Sequence, residues 1–278
     1  MKRMLRSCAI VVLLCLPAFA GEGMEDAITR MYDFDFRTSH QILDRYIAAH
    51  PADPLPYAFR ASAYLFSELD RMGILESDFF VDDDRIAEKK KRLDPDPEIR
   101  KNFLKAIADV ESRATPVLKA NPNDRDALFA MCVAQGVSTD YMAFVEKRQI
   151  SSLSIAKKSN AYAQRLLKID PKFYDAYLTA GVSEYMIGSL PFFIRWFVHF
   201  DNVEGNKQKG LDRLELVSRE GHFFRPFSKI LLAVAALRDK RPRDAQKLLS
   251  ELVHDYPGNP LFRKELTKVS NKLGIAGN

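Results

Sequence analysis

Five histidines, a few cysteines and scattered carboxylates are the residues of this chain that could do chemistry, and their spacing decides what they could do. His40, His50, His199, His222 and His254 form no HExxH pair and no compact cluster with Cys132, so the sequence assembles no zinc site. "VDDDR" at 81–85 has the acids of a calcium loop but lacks its central glycine and spaced oxygen ligands. "GNKQKGLD" at 205–212 carries two glycines five apart, yet Leu211 stands where a phosphate-binding loop needs lysine and no strand leads in. Glycines at turns before a helix account for it. "GVSTD" and "GVSEY" fall within helical patterns, which is not the strand–turn setting of a hydrolase nucleophile.

Carboxylate pairs need a distance test. Asp175 and Glu184 are nine residues apart, about 13 Å along a straight helix. Glycoside hydrolysis works over roughly 5–9.5 Å, so these two are expected to be solvated surface groups. No catalytic, metal or cofactor-binding residue is selected.

The elements that would position any site are helices. At 222–257, Phe227, Ile230, Leu231, Val234 and Leu237 share one helical face. Ala245, Leu248, Leu249, Leu252 and Val253 share another, and the polar break at 238–242 joins the two as a hairpin. The second helix closes at Pro257, and similar closures recur at Pro51, Pro122 and Pro171. A new helix follows each of these three closures, at 57–69, 126–137 and 173–188. Pro116 is expected to kink or restart the helix that ends before Pro122. No run of alternating residues outweighs the helical period, so large sheets are not expected.

The segment 226–259 resembles a tetratricopeptide repeat. With Pro257 in the motif's near-terminal proline position, Ala245 falls on the small residue of the second helix, and Leu249 and Leu252 on its packing positions. Leu232 and Ala233 take the Leu-Gly pair of the first helix, while Lys229 and Ala236 replace its usual aromatics. Ser39, Leu43 and Tyr46, and later Ser159, Tyr162, Ala163 and Leu166, occupy comparable places less closely. The closing prolines lie 71, 49 and 86 residues apart instead of a regular 34, which implies four or five helical pairs with insertions. The implied fold is all-α, an irregular α-solenoid of stacked antiparallel hairpins. "GSLPFFIRW" and "GNKQKG" before a proline-ended hairpin also resemble exported bacterial proteins of this type, a likeness that supplies a fold and no chemistry.

Residues 1–20 read as a signal peptide: Lys2, Arg3 and Arg6, then a short apolar run, then "AFA". Leu14 before Cys15 stands where a lipid-attachment site has a small residue, so a lipid anchor is not expected. Without this leader the formal charge falls from +5 to +2, 39 basic against 37 acidic residues, and nucleic-acid binding loses its main support. Cys132 is then the sole cysteine. It can form no internal disulfide and is expected to be a small buried helix residue. The rest, 21–278, reads as one helical-repeat domain of a protein exported to the periplasm or beyond, with no transmembrane segment.

Function is then sought on a surface. First helices of stacked pairs line a concave side, and Tyr57, Arg60, Tyr64, Tyr177, Glu184 and Tyr185 are its candidate partner-binding residues. The main expectation is a non-catalytic protein–protein interaction scaffold of the bacterial cell envelope. Two segments stand apart. Residues 70–101 form a charged insertion. Residues 190–200 gather Phe192, Phe193, Trp196, Phe197 and Phe200, destined for the core, an apolar pocket or a membrane surface. The pocket would make the protein a small-molecule or lipid-binding component of an envelope transport system. An unrecognised hydrolase is the third alternative.

Overall fold

The computed structural model describes residues 23–76, 93–189 and 203–274. Residues 1–20, read from the sequence as a signal peptide, the aromatic segment at 190–200 and residues 77–92 of the expected charged insertion lie outside the described residues.

Every described element is helical. In chain order they are α1 (Met24–Tyr32), α2 (Phe36–Ala49), α3 (Leu55–Arg71), α4 (Pro97–Ala120), α5 (Arg125–Asp140) and α6 (Gln149–Ile169). Then come α7 (Tyr177–Ser189), α8 (Lys207–Glu220), α9 (Arg225–Arg238), α10 (Pro242–Asp255) and α11 (Pro260–Lys272). A π-helical turn, Tyr141–Val145, continues α5, and a 3₁₀ turn, Tyr174–Ala176, leads into α7. Each helix packs on its sequence neighbours, and α3 also packs on α5. An amphipathic helix cannot hide its apolar stripe alone, and packing on its sequence neighbours solves this.

The four proline closures are one structure made four times. His50, Asn121, Asp170 and Tyr256 leave their helices at φ of −130°, −132°, −136° and −129°. The reason is steric: the ring of a following proline excludes the helical region for the residue before it. Each of these residues still donates its N–H to the carbonyl four residues back. Two residues after each proline, Asp53, Asp124, Phe173 and Asn259 return an N–H to the carbonyl of the exit residue, at 3.1 Å every time. Asp124 and Asn259 then cap the next helix through their side-chain oxygens.

Two local expectations are corrected. Helix α4 runs unbroken through Pro116, which is exposed and close to the helix end, so water can reach the carbonyl that lost its partner. Gly210 belongs to the body of α8 and is no turn residue. A Cβ there would meet the backbone N of Tyr185 at 2.5 Å, so glycine is what lets α7 and α8 touch backbone to backbone. Gly205 does sit at a turn, with φ +71°.

The core closes around a segment far along the chain. Between α8 and α9, Phe223 and Phe224 reach the Phe59 ring of α3, with centroids 5.2 and 6.0 Å away. The same two rings lie 5.9 and 5.8 Å from Phe129 of α5. Phe227 packs on Phe66 at 5.7 Å. These contacts join the faces of α3 and α5 into one cluster that also holds α1 and α2. The two ends of the described chain also meet, where the Asn259 side chain bonds the Tyr32 carbonyl at the end of α1. Cys132 is buried, and burial pushes its thiol up despite contacts to Thr179 and Ser159.

Candidate functional site

The buried acids come first, because an acid taken from water without a partner is costly. Asp175 and Glu184 are not the solvated groups expected from their spacing. They are 5% and 0% exposed. The Asp175 carboxylate accepts the backbone N–H groups of His222, Phe223 and Phe224 at 3.0, 3.0 and 2.8 Å. It thereby fixes the aromatic segment at the start of α9, where the helix end favours a negative charge. Burial pushes this carboxyl up, while those three hydrogen bonds pull it back.

Glu184 of α7 accepts from the N–H groups of Gly205 and Asn206, both at 3.0 Å, with Lys209 and Arg213 at 3.5 Å. Glu68 of α3 has the same task. It is wholly buried, accepts the Asp96 N–H at 2.8 Å, and takes a two-pronged bond from Arg71. In both cases a helix carboxylate tethers the backbone just before the next described helix, α4 or α8, begins. These carboxylates are employed in the fold.

The candidate tyrosines divide. Tyr57 is buried, donates its hydroxyl to the Pro51 carbonyl at 3.3 Å, and carries the Arg113 guanidinium 3.9 Å above its ring. Tyr177 repeats the bond with Pro171 at 3.2 Å, again six residues back. Both belong to the turn. Tyr185 is half-buried, with the Lys207 amine 5.9 Å from its ring centre.

Arg60 and Tyr64, one turn apart on α3, are brought together with two residues that spacing alone did not single out. Arg60 pairs with Asp44 of α2, and the His40 ring lies against Tyr64 with centroids 4.1 Å apart. The His40 Nδ1 is buried with no hydrogen-bond partner among the described residues. Burial, reinforced by Arg60, lowers its imidazole to about 4, so this face carries a neutral histidine at pH 7. Asp44 remains largely exposed. The signal for this group was present in the sequence as i, i+4 pairs on two successive helices, but which faces meet is a tertiary matter.

Asp140, half-buried at the end of α5, has its carboxyl pushed to about 7 by burial. Among the described residues, no group of three or more His, Cys, Asp or Glu side chains could hold a metal ion. A crevice of about 40 Å³ between α9, α10 and α11 is lined by Leu75, Ile230, Leu237 and Phe262, far below the volume of a ligand pocket. An open notch of about 390 Å³ is edged by Gly188 and residues 204–208. One described stretch, Arg125–Val145, is long and apolar enough to cross a membrane, and 56% of its most apolar 18-residue window is buried in the fold, as in a core helix. No family model, curated protein or solved structure matches the chain.

Proposed function

We propose that this chain is an irregular α-solenoid of tetratricopeptide type that acts in the bacterial envelope as a non-catalytic scaffold for another protein. The recurring proline turn carries the reading: one closure geometry used four times is what a stack of related helical pairs needs. The buried acids support it, since Glu68, Asp175 and Glu184 are spent on backbone N–H groups. The inner faces of α3 and α5 around Phe59 and Phe129 hold the protein's own Phe223 and Phe224. The partner is therefore assigned to the half-exposed surface of α2 and α3 that carries Asp44, Arg60 and Tyr64.

The test is a photo-crosslinking residue at position 60 or 64 in producing cells, with a third copy at exposed Lys247 as reference. One discrete protein adduct shared by 60 and 64, absent at 247 and lost with Asp44→Lys, is expected. If neither position gives an adduct while native mass spectrometry finds a retained small molecule, the scaffold reading is replaced by the ligand-binding one.

A further inference from the structure

The passage from α5 to α6 departs from regular helix in several ways at once. Among the described residues it holds the one π-helical turn, Tyr141–Val145, in which the Glu146 N–H reaches the Tyr141 carbonyl five residues back at 3.0 Å. Lys147 follows at φ +58°, in the left-handed region that a lysine rarely occupies. Tyr141 itself is 2% exposed, and its hydroxyl is buried with no hydrogen-bond partner among the described residues. Its ring lies nearly flat on Phe103 of α4, with centroids 4.2 Å apart and planes at 14°. The turn also packs on α3 and α6. A π-turn and an α-turn differ by one residue in each bond, so a shift between them rotates whatever follows by about 100°. Such a junction has two geometries open to it.

Asp140 stands directly before this turn, half-buried. Among the described residues neither a hydrogen bond nor a charge acts on its carboxyl, and burial alone does. The charged groups around the turn have other tasks. Glu68 of α3, Asp96 and Arg100 at the start of α4, and Glu146 after the turn act on the Tyr141 hydroxyl. Between the turn and α6 lie Lys147 and Arg148, and Arg148 pairs with Glu146. The first charged residue within α6 is Lys157, about two turns in. A neutral carboxyl can remain in such a place. An ionised one needs water or donors, and the packed junction supplies no donor among the described residues.

We propose that the α5–α6 junction is a hinge worked by the proton on Asp140. With the carboxyl neutral, the π-turn stays packed and Tyr141 rests on Phe103. With the carboxyl ionised, the turn opens to admit water and releases the Tyr141 ring and the start of α6. The direction follows from linkage. The packed junction holds the proton more tightly than an open one does. Packing is therefore fully supported below about pH 4 and loses that support as pH rises to about 7. The charge change and the bistable element it biases are neighbours in the chain. The hinge uses none of the residues of the Arg60–Tyr64 face, so either assignment can fail without the other.

Hydrogen–deuterium exchange of the purified protein tests it, read on peptides covering 137–150 at about pH 6 and pH 8 and corrected for the intrinsic exchange rate at each. With the carboxyl titrating at about 7 when packed and 3.8 when open, protection there should fall about tenfold between the two. A local opening exposes little surface, so the fall should persist unchanged in ~1 M urea, whereas exchange through global unfolding would speed up. Asp140→Asn, and Asp140→Ser as a second neutral variant, should show equal protection at both pH values. Circular dichroism checks that each variant folds. The same fall in a neutral variant overturns the proposal, and so does equal protection of the parent at both pH values. Exchange at 137–150 that steepens with urea also overturns it, in favour of a proton linked to global unfolding alone.

Discussion

The side-chain amide of Asn259 donates to the carbonyl of Tyr32 across 2.7 Å, although 227 residues separate them. The same side chain caps α11 by accepting from Leu261 and Phe262, and Asn259 is fully buried. Beside it, the Gly258 N–H meets Asp33 at 3.0 Å. One residue thus starts the last described helix and ties it to the end of the first.

Asn259→Ala removes both tasks and should lower stability by about 2–4 kcal/mol: the cap, and a buried carbonyl left without a donor. Asn259→Ser keeps a capping oxygen but does not reach Tyr32, so its cost should be about 1–3 kcal/mol. Urea denaturation measures both. Equal stability of the Ser variant and the parent would mean that the closure contributes nothing.

Asp175 holds the aromatic segment in place through three backbone N–H groups. Asp175→Ala orphans them and should cost on the order of 4 kcal/mol. Because the freed segment carries Phe223 and Phe224, the variant should also bind a hydrophobic dye in its native baseline, which the parent should not. Asp175→Asn retains an acceptor and should fall between the two.

Pro116 interrupts the hydrogen-bond ladder of α4 without stopping the helix. Pro116→Ala restores the donor at an exposed position and should raise stability by about 1–3 kcal/mol, read as an increase in Tm. A loss of stability would show that the proline ring is needed for packing.

Asp140 supplies a pH signature. Its carboxyl titrates near 7 in the fold against an ordinary value of 3.8, so the folded state holds the proton more tightly. The stability this provides is complete below about pH 4 and is lost as pH rises to about 7. Asp140→Asn, neutral throughout, should match the parent near pH 4 and exceed it at pH 8 by on the order of 1–2 kcal/mol, a figure reduced for its partial exposure. Parallel stability–pH curves for the two proteins would refute the assignment.

Much of the architecture was legible in the residues because its causes are local. The stripes at 227–237 and 245–253 became α9 and α10, and the break between them became their turn. The four prolines predicted four closures because the steric rule that ends each helix acts on the adjacent residue. Local reasoning failed where the partner was distant. Asp175 and Glu184 looked solvated because their nine-residue spacing says nothing of the backbone at 205–206 and 222–224 that buries them. Tyr57 looked like a binding residue because neither the Pro51 bond nor the Arg113 guanidinium over its ring is visible in its own helix.

By itself the sequence determined helices, closures and caps, since 3.6-residue periodicity, proline sterics and side-chain capping act within about one turn. Tertiary structure alone decided which faces remain open. It placed Phe223 and Phe224 against Phe59 and Phe129, joined Asn259 to Tyr32, and left Ile150 of α6 in water. Those outcomes depend on burying apolar area and satisfying buried polar groups across the whole chain at once, a balance that no single segment contains.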